Sequence, residues 1–546
     1  MLLSNLNLLA TAPGGVARLR ELILTLAVQG KLVPQDLKDE PASELLKKIR
    51  AEKDRLIAEG KIKRDKPLAE ITEEEKPFGL PVGWEWVRLP EIYYSISPSG
   101  NKLLSSAVQP EGKHPVVDQG QRHIAGYTNN DSLLIEIPGP VIVFGDHTKE
   151  IKYIDFDFVA GADGTKILRP VLQDERFFTW QLRSFPLEDR GYARHFKVLN
   201  SCLFALPPVA EQSRIVTRVE ELMRLCDALE AKGQLEATQH AQLVNTLLGT
   251  LTESETPAQL ADNWHRSATH FDLLLDRPDA VDALEQTILQ LAVRGLLVPQ
   301  DPQDEPASGL LKKIRAEKDK LIAEGKIKRD KPLSSIAEDE QPFALPVAWE
   351  WTRMGDAVNS SEAGWSPTCI GSPRRSGHWG VLKVSAVSWG AFDANANKEL
   401  PADLAPRPEY EVQDGDFLLS RANTEELVAR SVVVGKAEPL LMLSDKIIRL
   451  DVSSLMNRDF LNLCNNANHA RAHYIANASG TSSSMKNVSR EVVLRTPVPL
   501  PPLAEQSRIV TRVTQLRRLC ADLHQRLTAS QSTQAHLAEA LVENVA

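Results

Sequence analysis

Asp146 and His147 stand side by side in GDHTKE (145–150), a pair of types that could pass a proton. Adjacent residues rarely converge on one substrate atom, so a structural turn or a ligand contact is favoured over catalysis. The segment GTSSSMKN (480–487) is Gly-led and polar. It reads as a loop first and as a phosphate or base contact second. KIKRDK, at 61–66 and again at 326–331, is either a solvated exit from a helix or a contact for nucleic acid or a partner. Other enzyme signatures are missing. Five Gly-Lys pairs (at Gly30, Gly60, Gly112, Gly325 and Gly435) lack the Ser or Thr that a phosphate-cradling P-loop needs. The Pro-Pro pairs of LPPV (206–209) and LPPL (500–503) lack the acidic or amide residue and the aromatic of an amino-methyltransferase loop. There is no HExxH, no GxSxG and no His/Cys cluster with metal spacing.

Composition sets the frame for these residues. A chain of 546 residues, 42% hydrophobic and 25% charged, is ordinary globular protein of three or four units. The net charge of −9 excludes a uniformly basic coat but not a local basic groove. Five scattered cysteines (Cys202, Cys226, Cys369, Cys464, Cys520) without a CxxC pair fit a reducing cytoplasm. The apolar run Met1–Ala12 precedes the first basic residue, Arg18, so a signal peptide is not expected, nor is any membrane helix.

The chain is written twice. Residues 39–68 recur at 304–333 with two differences in 30 positions, Glu44 against Gly309 and Arg55 against Lys320. The match extends back to LAVQGKLVPQD against LAVRGLLVPQD and forward to LPVGWEW (80–86) against LPVAWEW (345–351), at a constant offset of 265. PPVAEQSRIVTRV at Pro207 recurs as PPLAEQSRIVTRV at Pro501, at an offset of 294. The segment between the blocks is therefore 29 residues longer in the second copy, and the two segments share no comparable identity. Drift alone would erode frame and insert alike. A nearly verbatim frame around divergent inserts suits a scaffold that presents two different recognition surfaces.

Leu19, Leu22, Ile23 and Leu26 recur at helical spacing up to Gly30 and Pro34. Ser43 is a plausible N-cap for a second helix that ends at Gly60. After the Pro-Pro pairs, Ile215, Val219, Leu222, Cys226 and Leu229 recur at a 3.5-residue period, as do Ile509, Val513, Leu516, Cys520, Leu523 and Leu527. That period marks a coiled-coil seam. The two helices can pack antiparallel about a pseudo-twofold axis, or each can dock a partner. Each spans roughly 38 residues, from Ala210 to about Leu248 and from Ala504 to about Leu541. That is about 57 Å, or about 15 base pairs of DNA.

At this point a resemblance is specific. The PLPPLAEQSRIV block, the LPVGWEW-type start of each insert and the duplicated layout resemble the specificity subunit (HsdS) of type I restriction–modification enzymes. FGDHTKEIKYIDFDFVAGADGTKIL (144–168) is similar to one family of target recognition domains. GWSPTC (364–369), WGVLKVSAVSWGAFD (379–393), GDFLLSRANTEELV (415–428) and SSMKNVS (483–489) are similar to another. The resemblance implies an α+β chain in which two globular α/β target recognition domains are separated by long conserved helices forming an antiparallel coiled coil. The domains are then 1–83 (helical frame), 84–206 (first recognition domain), 207–250 (coiled-coil helix), 251–282 (linker), 283–348 (repeated frame), 349–500 (second recognition domain) and 501–546 (second coiled-coil helix).

It further implies a non-catalytic reader of double-stranded DNA, each domain reading one half of an asymmetric bipartite site in the major groove. Two methyltransferase subunits would supply S-adenosylmethionine, and two motor-nuclease subunits would supply ATP- and Mg2+-dependent translocation and cleavage. No cofactor or metal is expected on this chain. Residue type and motif position nominate Gln119, Arg122, His123, His147, Lys149, Arg194, His195 and Lys197 in the first domain as DNA contacts. In the second they nominate Ser366, Arg374, Arg375, Lys383, Arg421, Asn423, Thr424, Lys486 and Asn487. Residues 84–206 hold 13 Lys/Arg against 15 Asp/Glu, and 349–500 hold 16 against 17, so contacts must be clustered and the phosphate clamp shared with partners. The competing readings are a self-contained DNA-acting enzyme and a purely structural coiled-coil scaffold. Trp84, Trp86, Trp349 and Trp351 are expected to pack the start of each domain rather than stack on bases.

Overall fold

Pro81 and Trp84 close over Gly30, and this contact begins the assembly of the first frame. In this computed structural model Gly30 ends the Gly15–Val28 helix at φ 68°, and a Cβ there would lie 2.4 Å from Pro81 Cγ. Gly295 ends the Pro278–Val293 helix at φ 72° and meets Pro346 at 2.6 Å. Only glycine meets both demands, a left-handed backbone and a close neighbour. The structure describes residues 6–64, 67–98, 102–161, 164–188, 194–254, 256–329, 331–388, 390–480 and 485–544. They fall into two compact units, Met1–Ala237 with Ser530–Ala546, and Thr238–Ala529.

In the first unit a buried polar network joins the frame. Glu211, in the first turn of the long Val209–Thr252 helix, accepts from Trp84 Nε1 at 3.0 Å and from Gln35 Nε2 at 3.1 Å. Arg214 pairs with Asp39 at 2.6 Å. Lys53, on the Ala42–Ala58 helix, reaches the carbonyls of Pro90 and Tyr93 at 2.8 and 3.0 Å and so tethers the start of the first recognition domain. The second unit repeats the set. Glu505 accepts from Trp349 Nε1 (3.0 Å) and Gln300 Nε2 (2.8 Å), Arg508 pairs with Asp304 (2.6 Å), and Lys318 reaches the carbonyls of Gly355 and Val358. A buried carboxylate is costly unless its oxygens are satisfied, so the near-verbatim spelling of these blocks has a physical cause. Ser43 is not the N-cap. Pro41 holds that position, and the Ala42 N–H donates to the Gly83 carbonyl at 2.8 Å.

Each recognition domain leaves and rejoins its frame through one antiparallel two-stranded ribbon. Glu85–Arg88 pairs with Leu203–Leu206, and Glu350–Arg353 with Pro497–Leu500. Between them the two inserts, dissimilar in sequence, share the strand order of the main sheet and one parallel pair in a second, smaller sheet. In the first, a four-stranded antiparallel sheet runs in the order 93–96, 165–170, 141–145, 151–154. A second sheet holds 114–117 parallel to 158–160. In the second domain the orders are 358–363, 447–452, 417–420, 431–433, with 380–382 parallel to 441–442. Each closing strand leads to a helix, Glu175–Ser184 or Arg458–Asn466, whose Phe177 or Phe460 stands edge-on to Trp84 or Trp349. Identity fails to reveal this kinship because strand order depends on where apolar residues fall, and many sequences meet that condition.

The fold is thus mixed helix and sheet, with two sheet-rich domains and two long helices of 44 and 41 residues, Val209–Thr252 and Leu503–Glu543. Each unit holds the N-terminal part of one long helix and the C-terminal part of the other. In the first unit Ile215, Val219 and Cys226 share a buried cluster with Ile23 and Ala27 of the short frame helix and with Phe177 and Phe204, with Leu222 packed against it and Leu229 half-buried. The apolar seam there faces the short helix and the recognition domain. Ala538 and Val542 of the other long helix pack with Leu9, Ala12 and Leu22. In the second unit Ile509, Val513 and Cys520, flanked by Leu516, Leu523 and Leu527, share a cluster with Val281, Leu284 and Ile288, and with Val244, Leu248 and Leu251.

Residues 251–282, read from sequence as a linker, are largely helical. Thr256 caps Pro257–Ala268 by accepting from Gln259 N, and Trp264 packs edge-on to Phe271. Pro257 at the first helical position, directly after the Thr256 cap, favours this start. No helix among the described residues is long and apolar enough to cross a membrane.

Burial raises the Glu505 carboxyl from 4.5 to about 7, against the opposing bond from Trp349. A carboxyl with a raised folded-state pKa contributes stability that is full below about pH 4.5 and is lost as pH rises through about 7. Thermal unfolding should therefore show a loss of up to about 3 kcal/mol between pH 5 and 8, and Glu505→Gln should flatten that slope. An unchanged slope in the variant would refute the assignment.

Candidate nucleic-acid interface

Asp146 gathers one end of the first recognition domain. Only 4% exposed, it donates its N–H to the Gly164 carbonyl and accepts at its own carbonyl from His195 N, both at 2.8 Å. Its Oδ1 accepts from Phe196 N at 2.8 Å, and Lys166 Nζ lies 3.9 Å from Oδ2. Gln119 joins a third segment: its Oε1 accepts from His147 N (3.2 Å) and its carbonyl from Thr148 Oγ1 (2.5 Å). Lys152 is buried and donates to the carbonyls of Asp118 and Arg122, at 2.8 and 2.5 Å; burial lowers its pKa. Loops 118–123, 145–150, 164–166 and 194–197 therefore converge, although they are far apart in sequence. Asp146 serves backbone groups, so the Asp146/His147 pair is a structural turn.

Most first-domain candidates reach this loop cluster. Arg122, His123, Arg194 and Lys197 are exposed on it, with Gln119, His147 and Lys149 partly so. His123 stands edge-on to Phe156. His195 is a correction: it is 1% exposed, and its Nδ1 lies 3.1 Å from the Asp146 carbonyl. It holds the turn and cannot reach a base without moving. Beside the cluster lies a groove of about 500 Å³. It is lined in part by His123, Lys152 and Tyr153, with Arg176 over the Tyr153 ring and Arg183 over Trp180.

In the second domain the strands Ala422–Asn423 and Lys486–Asn487 pair as a short ribbon. Arg421 is exposed; its N–H donates to the Lys446 carbonyl, and its own carbonyl accepts from Val488 N. Ser366 shares a 2.5 Å hydrogen bond with Asp445, next to Lys446. Asn423 Nδ2 donates to Ser388 Oγ at 2.9 Å while its Oδ1 accepts from Thr424 N, and Lys486 Nζ reaches the Gly480 carbonyl. Arg421, Asn423, Thr424, Lys486, Asn487 and Ser366 thus belong to one linked set of loops. Residues 481–484 of the Gly-led loop lie outside the described residues.

Arg374 is a correction, while Arg375 stays on the surface. Arg374, its side chain 13% exposed, donates to the carbonyls of His378 and Pro439 and pairs with Glu438, so it braces a loop. Arg375 makes a double contact with Glu399 and is 71% exposed. The Arg375 bond pulls the Glu399 carboxyl down to about 2, while most of the guanidinium's surface stays open to solvent. Lys383 is half-buried, beside the Ala396 carbonyl that its N–H reaches. Sequence reasoning missed Lys166, Lys446 and the anchoring roles of Asp146 and Lys152. Asp146, Lys152 and Lys166 find partners tens of residues away, and Lys446 is placed by the bond from Arg421 N to its carbonyl.

Two loop clusters bearing Arg, Lys, Asn and Gln, each on a domain seated in its own copy of the repeated frame, define a protein with two recognition domains. Among the described residues no group of three or more metal-ligating side chains occurs. The family model described as the type I restriction modification DNA specificity domain matches residues 408–530. The EcoEI specificity subunit of Escherichia coli, a type I restriction enzyme component, is 40% identical over 563 residues, covering 97% of this chain and 93% of that protein. The E. coli EcoAI specificity subunit is 36% identical over 575 residues, with the same coverage, 97% and 93%. A crystal structure of HsdS from Thermoanaerobacter tengcongensis is 16% identical and covers 86% of this chain and 98% of its own, with a TM-score of 0.33. The chain belongs to the specificity subunits of type I restriction enzymes.

Asp146→Ala should free the Phe196 amide to hydrogen exchange and destabilise the first unit by about 1–3 kcal/mol. Asp146→Asn keeps the Oδ1 acceptor and should retain protection. Equal exchange in both variants would show that Asp146 does not anchor the loop.

Proposed function

We propose that this chain reads an asymmetric two-part site in double-stranded DNA, one part with each recognition domain. The carrying observation is the duplicated frame: two nearly identical sockets hold two domains with the same main-sheet order and different surface chemistry. A scaffold alone has no use for that difference. The chain supplies specificity, and the chemistry belongs to its partners. The partners are two methyltransferase subunits that bring S-adenosylmethionine and modify adenine N6 on opposite strands, and two motor-nuclease subunits that use ATP and Mg2+. The target adenine is flipped into the methyltransferase pocket.

The contact roles follow from chemistry. Arg122, Lys149, Arg194 and Lys197 supply cations in the first domain, with Gln119, His123 and His147 beside them. Arg421, Lys486, Asn423, Thr424, Asn487, Lys383 and Ser366 serve the second. Arg pairs well with guanine and Asn or Gln with adenine, while several of these cations touch only phosphate. Because neither domain is basic overall, binding is local and much of the phosphate clamp comes from partner subunits.

Sequencing the methylated bases of a host with and without this gene should reveal the loss of one asymmetric, two-part adenine motif. Exchanging residues 84–206 should change one half of it only; a change in both halves would overturn the modular reading. Arg421→Ala should weaken methylation by about 1–3 kcal/mol in transition-state terms, with any relaxed base preference confined to the second domain's half. Relaxation in the other half would contradict the assignment.

A further inference from the structure

A second repeat is hidden inside the dissimilar domains, visible only in their contacts with the frame. Gln212 and Gln506 follow the buried glutamates and are both fully buried. Each clamps two backbones. Gln212 Nε2 donates to the Pro207 carbonyl at 3.0 Å, while its Oε1 accepts from the N–H of Asp174 at 2.8 Å. Gln506 Nε2 donates to the Pro501 carbonyl at 3.1 Å, and its Oε1 accepts from the N–H of Asn457 at 3.0 Å. Asp174 and Asn457 are the N-caps of equivalent helices, and both accept from the N–H three residues on, that of Phe177 or Phe460. Those phenylalanines meet Trp84 and Trp349 edge-on at 6.5 and 6.2 Å. Two segments without overall identity thus present the same plug, Asp/Asn-x-x-Phe, to the same socket.

We infer that Gln212 and Gln506 are positioning residues that fix the angle of each recognition domain on its frame, and with it the spacer length between the half-sites. This rests on the two-part reading above. The ribbon of each domain is a two-stranded hinge, and a hinge of four residue pairs twists easily unless a second contact restrains it. The Gln clamp supplies the directional part of that restraint: beside the Lys53 and Lys318 tethers and the Trp–Phe contacts, it hydrogen-bonds the backbone where the domain's helix begins. For a point about 20 Å from the clamp, on the scale of a domain this size, about 10° of slack gives a displacement of about one base-pair rise. Loss of the clamp therefore changes which spacer is accepted before it changes which bases are read.

The test uses the full chain with its methyltransferase partners and a DNA library holding the wild-type half-sites at spacers one base pair shorter, equal and one longer. Gln506→Met keeps the side-chain length but neither donates nor accepts; Gln212→Met does the same in the other socket. Each should raise methylation at the altered spacers relative to the native one by about fivefold, the scale of one net hydrogen bond. The half-site sequences should stay the same. Gln506→Glu keeps the acceptor for Asn457 but turns an oxygen, in place of the Nε2 donor, toward the Pro501 carbonyl, and should broaden the profile as Gln506→Met does. Should a Met variant fail to fold, Gln506→Asn, which withdraws the amide by one methylene, should broaden the profile in the same direction. Methylation that falls in parallel at all three spacers, or a profile unchanged in both Met variants, would overturn the inference. A wild-type complex that methylates no two-part site would instead overturn the functional reading on which it stands.

Discussion

Everything in each half of this protein hangs on a carboxylate that is buried where a long helix begins. Glu211 and Glu505 each receive an indole N–H and a Gln amide in the first turn of a long helix. The indole belongs to the residue that opens the recognition domain, and the Gln to the turn after the short frame helix. One side chain therefore fastens the three parts of a frame that are most distant in sequence. Removing any one partner would strand a buried polar group, so the parts cannot vary independently. That coupling explains why the blocks are spelled almost identically twice while the domains they hold are free to differ.

Much of this was legible in the residues. The repeat, its two offsets, the helical frame and the division into two inserts all follow from spacing and identity. The kinship of the two inserts was not legible. Strand order is set by burial, and the apolar positions of 141–145 and 417–420 correspond in role without matching in letter. The candidate contacts divided along a related line. Residue type marks Arg374 and His195 as ready to meet DNA, but type says nothing about direction. The structure turns Arg374 onto two carbonyls and buries His195 under its own turn. Conversely, Lys166 and Lys446 sit beside the loop clusters because of backbone bonds made tens of residues away, which no window of sequence contains. Ser43 shows the same limit on a smaller scale, since Pro41 holds the capping position and the Ala42 N–H donates to the Gly83 carbonyl.

The overall charge of −9 is easier to understand with the side chains placed. Many cations are spent internally. Lys53, Lys152 and Lys318 hold carbonyls, Arg353 and Arg375 are paired with Glu340 and Glu399, and Arg214 and Arg508 bind aspartates. The cations left on the loop clusters are few and local. A surface of that kind selects by geometry rather than by bulk attraction, and it leaves non-specific affinity for DNA to whatever binds alongside.

The closing ribbon of each domain has a consequence for how such a chain changes over time. Because Glu85–Arg88 lies against Leu203–Leu206, the frame sees an insert as a hairpin whose two ends are already neighbours. The 29 extra residues of the second insert add only about 0.2 kcal/mol of loop-closure entropy. Length is therefore almost free, and so is content, provided that the ribbon forms and the helix behind it carries the right cap and phenylalanine. A gene built this way can acquire a foreign insert in a single recombination between its short constant blocks and still fold, which makes the molecule a holder for vocabulary it did not itself evolve.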